Sequence, residues 1–228
     1  MRSLTRLRGL HHFPPKQYAS NFTDYDGNPY TTIDIGNQRW IVENLRVVHY
    51  SDGTPIVNIT DPDLWKADTI GAYCWYENDA RDKEIYGALY NWYAVDHASI
   101  LVYFKRGSVQ EIGWRMPTVA DMITLYTLLG GLEITGGKLK EIGLGHWITP
   151  NIGATDEYHW RGLGAGNRFI DIEEGDAFSN RGIYADFWLA DEGGLGGFCF
   201  YLDNESAFLN PSSFPKYCGQ NVRCIKDI

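Results

Sequence analysis

Four sets of side chains in this sequence could do chemistry, and three of them lack the spacing it needs. His11, His12, His49, His97, His146 and His159 include no H-x-x-x-H or H-E-x-x-H pair, the arrangements that put two imidazoles on one helix face for zinc. No serine lies in a G-x-S-x-G elbow, so nothing local exposes a hydroxyl nucleophile on a strained turn. Cys74, Cys199, Cys218 and Cys224 contain no C-x-x-C and are too few for a disulfide-dense scaffold. A Cys218–Cys224 bridge, a Cys199–Cys224 bridge and reduced buried thiols stay open as alternatives. These patterns predict no catalytic centre, no metal and no cofactor. The fourth set is Trp188, Asp191, Tyr201, Asp203, Asn204, Phe208, Asn210, Phe214 and Tyr217. It mixes rings with small polar groups, the composition that gives binding loops contact area at low entropy cost. These nine are read as the candidate ligand-binding surface. A terminal sheet claims Trp188, Tyr201 and Phe208 as core equally well, and Asp203-Asn204 also reads as a hairpin turn.

The elements that must position this surface follow from punctuation and period. Thr118 is a helix cap with Asp121 three residues on. Met122, Leu125, Leu128 and Leu129 recur at helical spacing, and Gly130-Gly131 stops the run, which predicts a helix over 119–129. Ile85 to Val95, with Tyr86, Leu89, Tyr90 and Tyr93 at i, i+3, i+4 and i+7, predicts another helix with an aromatic face. Thr31 to Val48 reads as a hairpin turning at Gly36-Asn37. Tyr50 to Asp68 reads as a polar excursion, in which Asp61-Pro-Asp63 is a turn. The glycine-rich passage from Gly162 to Phe169 neither follows a strand nor opens a helix as a phosphate-binding loop would, so it reads as irregular loop. The segments 182–190, 197–202, 206–209 and 219–225 read as short strands in hairpin connection.

The motifs Gly36-Asn-Gln-Arg-Trp-Ile-Val-Glu-Asn-Leu45, Gly87-Ala-Leu-Tyr-Asn-Trp92, Gly113-Trp-Arg-Met-Pro-Thr118, Leu129-Gly-Gly131, Gly137-Lys-Leu-Lys140, Ala185-Asp-Phe-Trp188 and Val222-Arg-Cys-Ile-Lys-Asp227 together resemble the Fibrobacter succinogenes major paralogous domain, over about residues 30 to 228. The resemblance implies an α+β, C-type-lectin-like fold: two helices packed on small antiparallel sheets, with long irregular loops. It also implies an adhesion or display role, on bacterial surface proteins or on virions of phages infecting Bacteroidetes, with a variable segment where this chain has Phe187 to Gln220. Arg115-Met116 stands where His-Leu is commoner, and Leu189-Ala190 stands where small hydroxyl residues are more usual. With no export signal in Met1 to Gly9, these departures favour a virion component over a protein of the bacterial cell surface. Calcium-dependent sugar-binding lectins carry Glu-Pro-Asn or Gln-Pro-Asp with Trp-Asn-Asp, because carboxylate and amide oxygens must hold calcium and sugar together. None of these triplets occurs here, and Asp24-Tyr-Asp-Gly27 reads as a turn. Cys218 and Cys224 do not match the setting of the paired cysteines in the related formylglycine-generating fold.

A chain of 228 residues, 44% hydrophobic and 14% aromatic, can bury one substantial core pinned by large rings. Two parts are expected: an N-terminal docking arm over 1–29 and a major domain over 30–228. Arg2, Arg6 and Arg8 interleave with Leu4, Leu7 and Leu10, too little apolar surface to order alone. Residues 1–20 are therefore expected to dock on another virion or surface-assembly protein. A net charge of −9, with no Lys/Arg cluster in the body, argues against nucleic acid as a partner. No run reaches transmembrane length, so membrane insertion is not expected. A host-surface glycan or protein is the expected ligand class, and a homo-oligomer, with a trimer as the guess, the expected assembly.

Overall fold

The computed structural model describes residues 22–96, 102–171, 175–194 and 196–228. The expected docking arm, residues 1–20, and with it His11 and His12, lies outside the described residues, as does His97. From Phe22 onward the chain is part of the folded body: strand β1 (Phe22–Asp24) pairs with β7 (Phe104–Arg106), and the Phe22 ring stacks on Phe104 at 4.6 Å.

The expected hairpin forms as strands β2 (Thr32–Ile35) and β3 (Gln38–Ile41), turning at Gly36, which holds φ +62°, a region that favours glycine. Ile33, Ile35 and Trp40 are buried. On the other edge of β3 lies the last strand, β14 (Ile225–Asp227), with Ile225 opposite Trp40, so the first and last thirds of the chain share one sheet.

The helix expected after Thr118 forms over Val119–Leu129. Thr118 Oγ1 accepts from the Asp121 amide at 3.2 Å, the Asp121 carboxylate accepts from the Thr118 amide at 2.7 Å, and Gly130 ends the helix in the left-handed region. Among the described residues it is the fourth α-helix, α4, after α1 (Pro62–Ala67), α2 (Lys83–Tyr86) and α3 (Trp92–Asp96). A fifth, α5 (Leu132–Leu139), follows at once and carries two interior glycines. The space explains them: a Cβ on Gly136 would lie 1.9 Å from the Phe208 carbonyl oxygen, and one on Gly137 would lie 2.3 Å from that of Gly153.

The α+β, two-helix lectin-like arrangement is overturned. Among the described residues the molecule is mostly β, with fourteen strands in five small sheets. One reason lies in 85–95, where no continuous helix forms. Gly87 holds φ +71° with no room for a Cβ beside Asn44 and the carbonyls of 44 and 45. The chain then runs as strand β6 (Leu89–Tyr90) against β5 (Ala72–Cys74) before α3 begins. Tyr90 is buried in that strand, its hydroxyl donating to the Val47 carbonyl at 2.7 Å, so its helical spacing with Tyr86 and Tyr93 is coincidental. Another reason lies in the glycine-rich passage, whose end is strand β9 (Ala165–Asp171) paired with β10 (Gly175–Arg181). Asp61 also departs from a simple turn: its carboxylate accepts from the Leu64 amide at 2.9 Å and caps α1, with Pro62 at the first helical position.

The terminal sheet is β11 (Tyr184–Gly193), β12 (Gly196–Asp203) and β13 (Asn210–Pro215), in that order and antiparallel. The strand expected at 206–209 is instead the turn leading into β13. All four cysteines are free and buried, which closes the disulfide alternatives.

Candidate functional site

Period-two alternation divides the terminal sheet into two faces. Ala185, Phe187 and Leu189 of β11, with Phe200 and Leu202 of β12, enter the core beneath α4 together with Ile33, Trp40 and Leu125. The intervening residues face the other way: Tyr184, Asp186 and Trp188 on β11, Cys199, Tyr201 and Asp203 on β12, and Asn210, Ser212 and Phe214 on β13. Their register places Asp186 opposite Tyr201, Tyr201 opposite Asn210, and Cys199 opposite both Trp188 and Ser212.

A cavity of about 350 Å³ opens on this front face, with the β9–β10 ribbon beside it. The sheet contributes Tyr184, Asp186, Tyr201, Ser212 and Phe214, the ribbon Asn167, Arg168, Phe169, Ser179 and Asn180, and the segment before β14 Cys218 and Gln220. The Tyr184 and Tyr201 rings meet edge to face at 5.3 Å. Asp186 is 2% exposed, and its Oδ2 accepts from Asn167 Nδ2 at 3.0 Å. Burial pushes its carboxyl up to about 7, and the Asn167 hydrogen bond only partly opposes this. Asn167 Oδ1 in turn accepts from Ser179 Oγ at 3.1 Å and Asn180 Nδ2 at 3.4 Å. Gln220 is 1% exposed and its Oε1 has no hydrogen-bond partner. Burial, and behind it the charge of Asp186, holds the Cys199 and Cys218 thiols well above their usual range, so both are protonated and poor nucleophiles.

A second recess shares the Tyr184 and Tyr201 wall and is bounded by Thr149, Asp203, Asn204 and Ser206. Its rim is fastened from below by Lys140, which is fully buried. Lys140 Nζ donates to the carbonyls of Ile152, Asp203 and Ser206 at 2.8, 2.7 and 2.7 Å.

Of the nine residues read from sequence, Tyr201 and Phe214 line the cavity, and Asp203 and Asn204 line the adjoining recess with Tyr201. The other five are elsewhere occupied. Trp188 is fully buried and donates from Nε1 to the Tyr90 carbonyl at 2.8 Å. Asp191 accepts from the Val119 amide at 2.7 Å, at the start of α4. Asn210 donates to Asp203 Oδ2 at 3.0 Å. Tyr217 packs at the core edge, 6.4 Å from the Phe169 ring. Phe208 is exposed in the turn after β12, outside both recesses. Sequence reasoning missed Asn167, Ser179, Asn180, Asp186, Ser212 and Gln220. For Asp186 a signal existed: Tyr184-x-Asp186-x-Trp188 at period two puts the carboxylate on the same face as Tyr184.

The model of the Fibrobacter succinogenes major domain matches residues 33–226. This chain belongs to that family. No curated protein and no solved structure matches it. The motifs through which a Fibrobacter succinogenes major domain was legible are largely framework here. Asn44 Nδ2 donates to the Tyr86 carbonyl while its Oδ1 accepts from Arg223 Nε at 2.8 Å. Asn221 Nδ2 donates to the carbonyls of Tyr86 and Ala88, and Trp92 Nε1 to that of Leu189 at 3.1 Å. Arg223 places its guanidinium carbon over the Trp160 ring, 3.8 Å from the centroid, and donates to the carbonyls of Trp160 and Arg161. In this major domain the family's motifs thus lock the segments 44–45, 86–92, 160–161 and 221–223 to one another, and the cavity opens outside that knot.

Proposed function

We propose that this major domain is a non-enzymatic recognition module of a phage particle, meeting a host-surface partner or decorating the particle through the front face of the β11–β12–β13 sheet. The observation that carries the reading is the cavity itself. Its walls are rings, its lining offers amide, hydroxyl, carboxyl and guanidinium groups, and its lining thiol, Cys218, is held protonated. Asp186 is the one carboxylate among the lining residues described, which leaves it without the second acid or base that hydrolytic chemistry pairs with it. Family membership supports a display role. On this reading residues 1–20 join the module to another particle protein, and copies assemble as a homo-oligomer, a trimer in the simplest case.

The test is retention of the labelled full chain on intact bacterial cells. Saturable retention, with the cell-surface material released chemically unchanged, is the expected result. No retention on any candidate host would overturn host recognition and leave decoration of the particle, and turnover of released material would overturn the non-enzymatic reading as a whole. Antibodies against the chain should label purified particles. If they label the bacterial envelope instead, the module is an adhesin of the cell that makes it.

A further inference from the structure

The cavity on the front face carries a more specific assignment, which rests on the recognition reading above. We propose that it is a subsite for one hydroxyl-rich ring of a glycan, held without a metal ion. The argument starts from an unmet hydrogen bond. Gln220 is 1% exposed, lines the cavity, and its Oε1 has no partner in the protein. A buried acceptor left in that state costs free energy that a donor on a bound molecule would recover. Asp186, which shares the cavity, is a second acceptor, engaged through Oδ2 with Asn167. Two acceptors on one floor ask for donors, and a sugar ring presents several hydroxyls along one edge.

The ribbon side is equally built. Asn180 holds φ +67° and Gly166, opposite it, φ +71°; a Cβ on Gly166 would lie 2.5 Å from the Ser179 carbonyl oxygen. A non-glycine residue in the left-handed region is a strained choice, concentrated at ligand sites, and asparagine is among the residues that tolerate it best. Here it brings the Asn180 amide to Asn167 and Ser179 at the cavity wall. The Tyr184–Tyr201 pair and Phe214 then offer flat apolar surface to the C–H face of a ring whose hydroxyl edge meets the floor. A volume of about 350 Å³ is at the small end of ligand pockets, which run from roughly 300 to 1,000 Å³, and suits a single saccharide unit rather than a long chain. Aromatic walls around one carboxyl also resemble a cage for an alkylammonium. The amides and hydroxyls favour the sugar, because they both donate and accept whereas an ammonium only donates.

Saturation-transfer NMR on the full chain, with glucose, galactose, mannose, N-acetylglucosamine and rhamnose in one series and choline in another, decides the matter together with a glycan array. At least one sugar should receive saturation at its ring protons. Its Kd should weaken tenfold or more in Tyr201→Ala and in Asn180→Gly. The glycine variant keeps the positive φ, so its thermal melt should match the unmodified chain, while Phe208→Ala, outside the cavity, should bind as before. Binding of choline alone, no glycan bound on the array, or sugar binding indifferent to both cavity variants would each overturn the proposal. Failure here and failure of the recognition reading are separable. Retention on cells that survives Tyr201→Ala and Asn180→Gly leaves the reading standing without this subsite, whereas sugar binding with no retention on cells removes host recognition and keeps the subsite.

Discussion

Lys140 places an ammonium where three backbone carbonyls converge, so the turn at 203–206 and the loop at 149–153 close on a side chain rather than on each other. Burial pushes its pKa down to about 8. Lys140→Met keeps most of the volume and leaves three buried acceptors without a donor, each at about 1–3 kcal/mol. We expect a loss of ~3 kcal/mol or more in urea unfolding, and a loss below ~1 kcal/mol would mean that water or a neighbour replaces the ammonium. Asp186 works in the opposite sense. Its carboxyl is pushed up to about 7 from an ordinary 3.8, so between those pH values the folded chain holds a proton that the unfolded chain has released. The stability this group contributes is whole below about 3.8 and is lost as pH rises through 7, at ~1.4 kcal/mol per pH unit. Asp186→Asn should therefore flatten the stability profile between about pH 4 and 7 and leave the variant more stable than the unmodified chain at pH 7.5. Denaturant midpoints across that range are the check, and an unchanged slope would contradict it. Neither role was legible in the sequence. Lys140 and Asp186 each lie within a motif of the family resemblance, but their burial depends on residues more than a dozen positions away.

Helix α4 was read from sequence in full because every signal for it is local: the Thr118–Asp121 box, the apolar spacing and the Gly130 stop lie within thirteen residues of one another. What sequence did not convey is that β11 completes the cap, with Asp191 accepting from the Val119 amide. That contact converts a candidate ligand residue into a framework one. Asp191→Ala should lower stability by ~1 kcal/mol, the usual cost of a lost cap, and leave retention on cells untouched. Retention lost at full stability would restore Asp191 to the binding surface. Helix α5 escaped notice for the converse reason, since Gly130-Gly131 reads as a stop and no apolar spacing was read beyond it. Propensity alone holds that Gly136→Ala should stabilise a helix by up to ~1 kcal/mol. The Phe208 carbonyl oxygen, 1.9 Å from the new Cβ, decides the sign the other way. We expect destabilisation of ~2 kcal/mol or more, as for an overpacked core, measured by thermal melt. Likewise the segment 85–95 misled because a short apolar run such as Ala88-Leu89-Tyr90 suits a buried strand as well as a helix, and the positive φ of Gly87 interrupts a helix there.

At the scale of the whole molecule, small sheets of two or three strands cannot each hold a core, so the fold depends on pairings between distant parts of the chain. β14 closes the opening hairpin with Ile225 opposite Trp40, and the Arg115 amide donates to the Ile225 carbonyl at 2.8 Å. Just before β14, the backbone of Gln220 pairs with Tyr90, that of Asn221 pairs with Asp186 and Trp188, and Arg223 pins Asn44 and the 160–161 loop. The last eleven residues therefore tie distant regions of the chain together, and Cys218 and Gln220 among them line the cavity as well. A chain shortened after Tyr217 should lose the cooperative unfolding transition altogether rather than lose one element, because removing buried Val222, Arg223, Cys224 and Ile225 leaves both main core clusters open at once. A graded alternative distinguishes mechanism from mere truncation. Asn221→Ala removes the donor to the Tyr86 and Ala88 carbonyls but keeps the strand, and should cost ~2 kcal/mol with the transition still cooperative. If the shortened chain still melted cooperatively, with a midpoint near that of the full chain, the C-terminal segment would be an accessory to the fold.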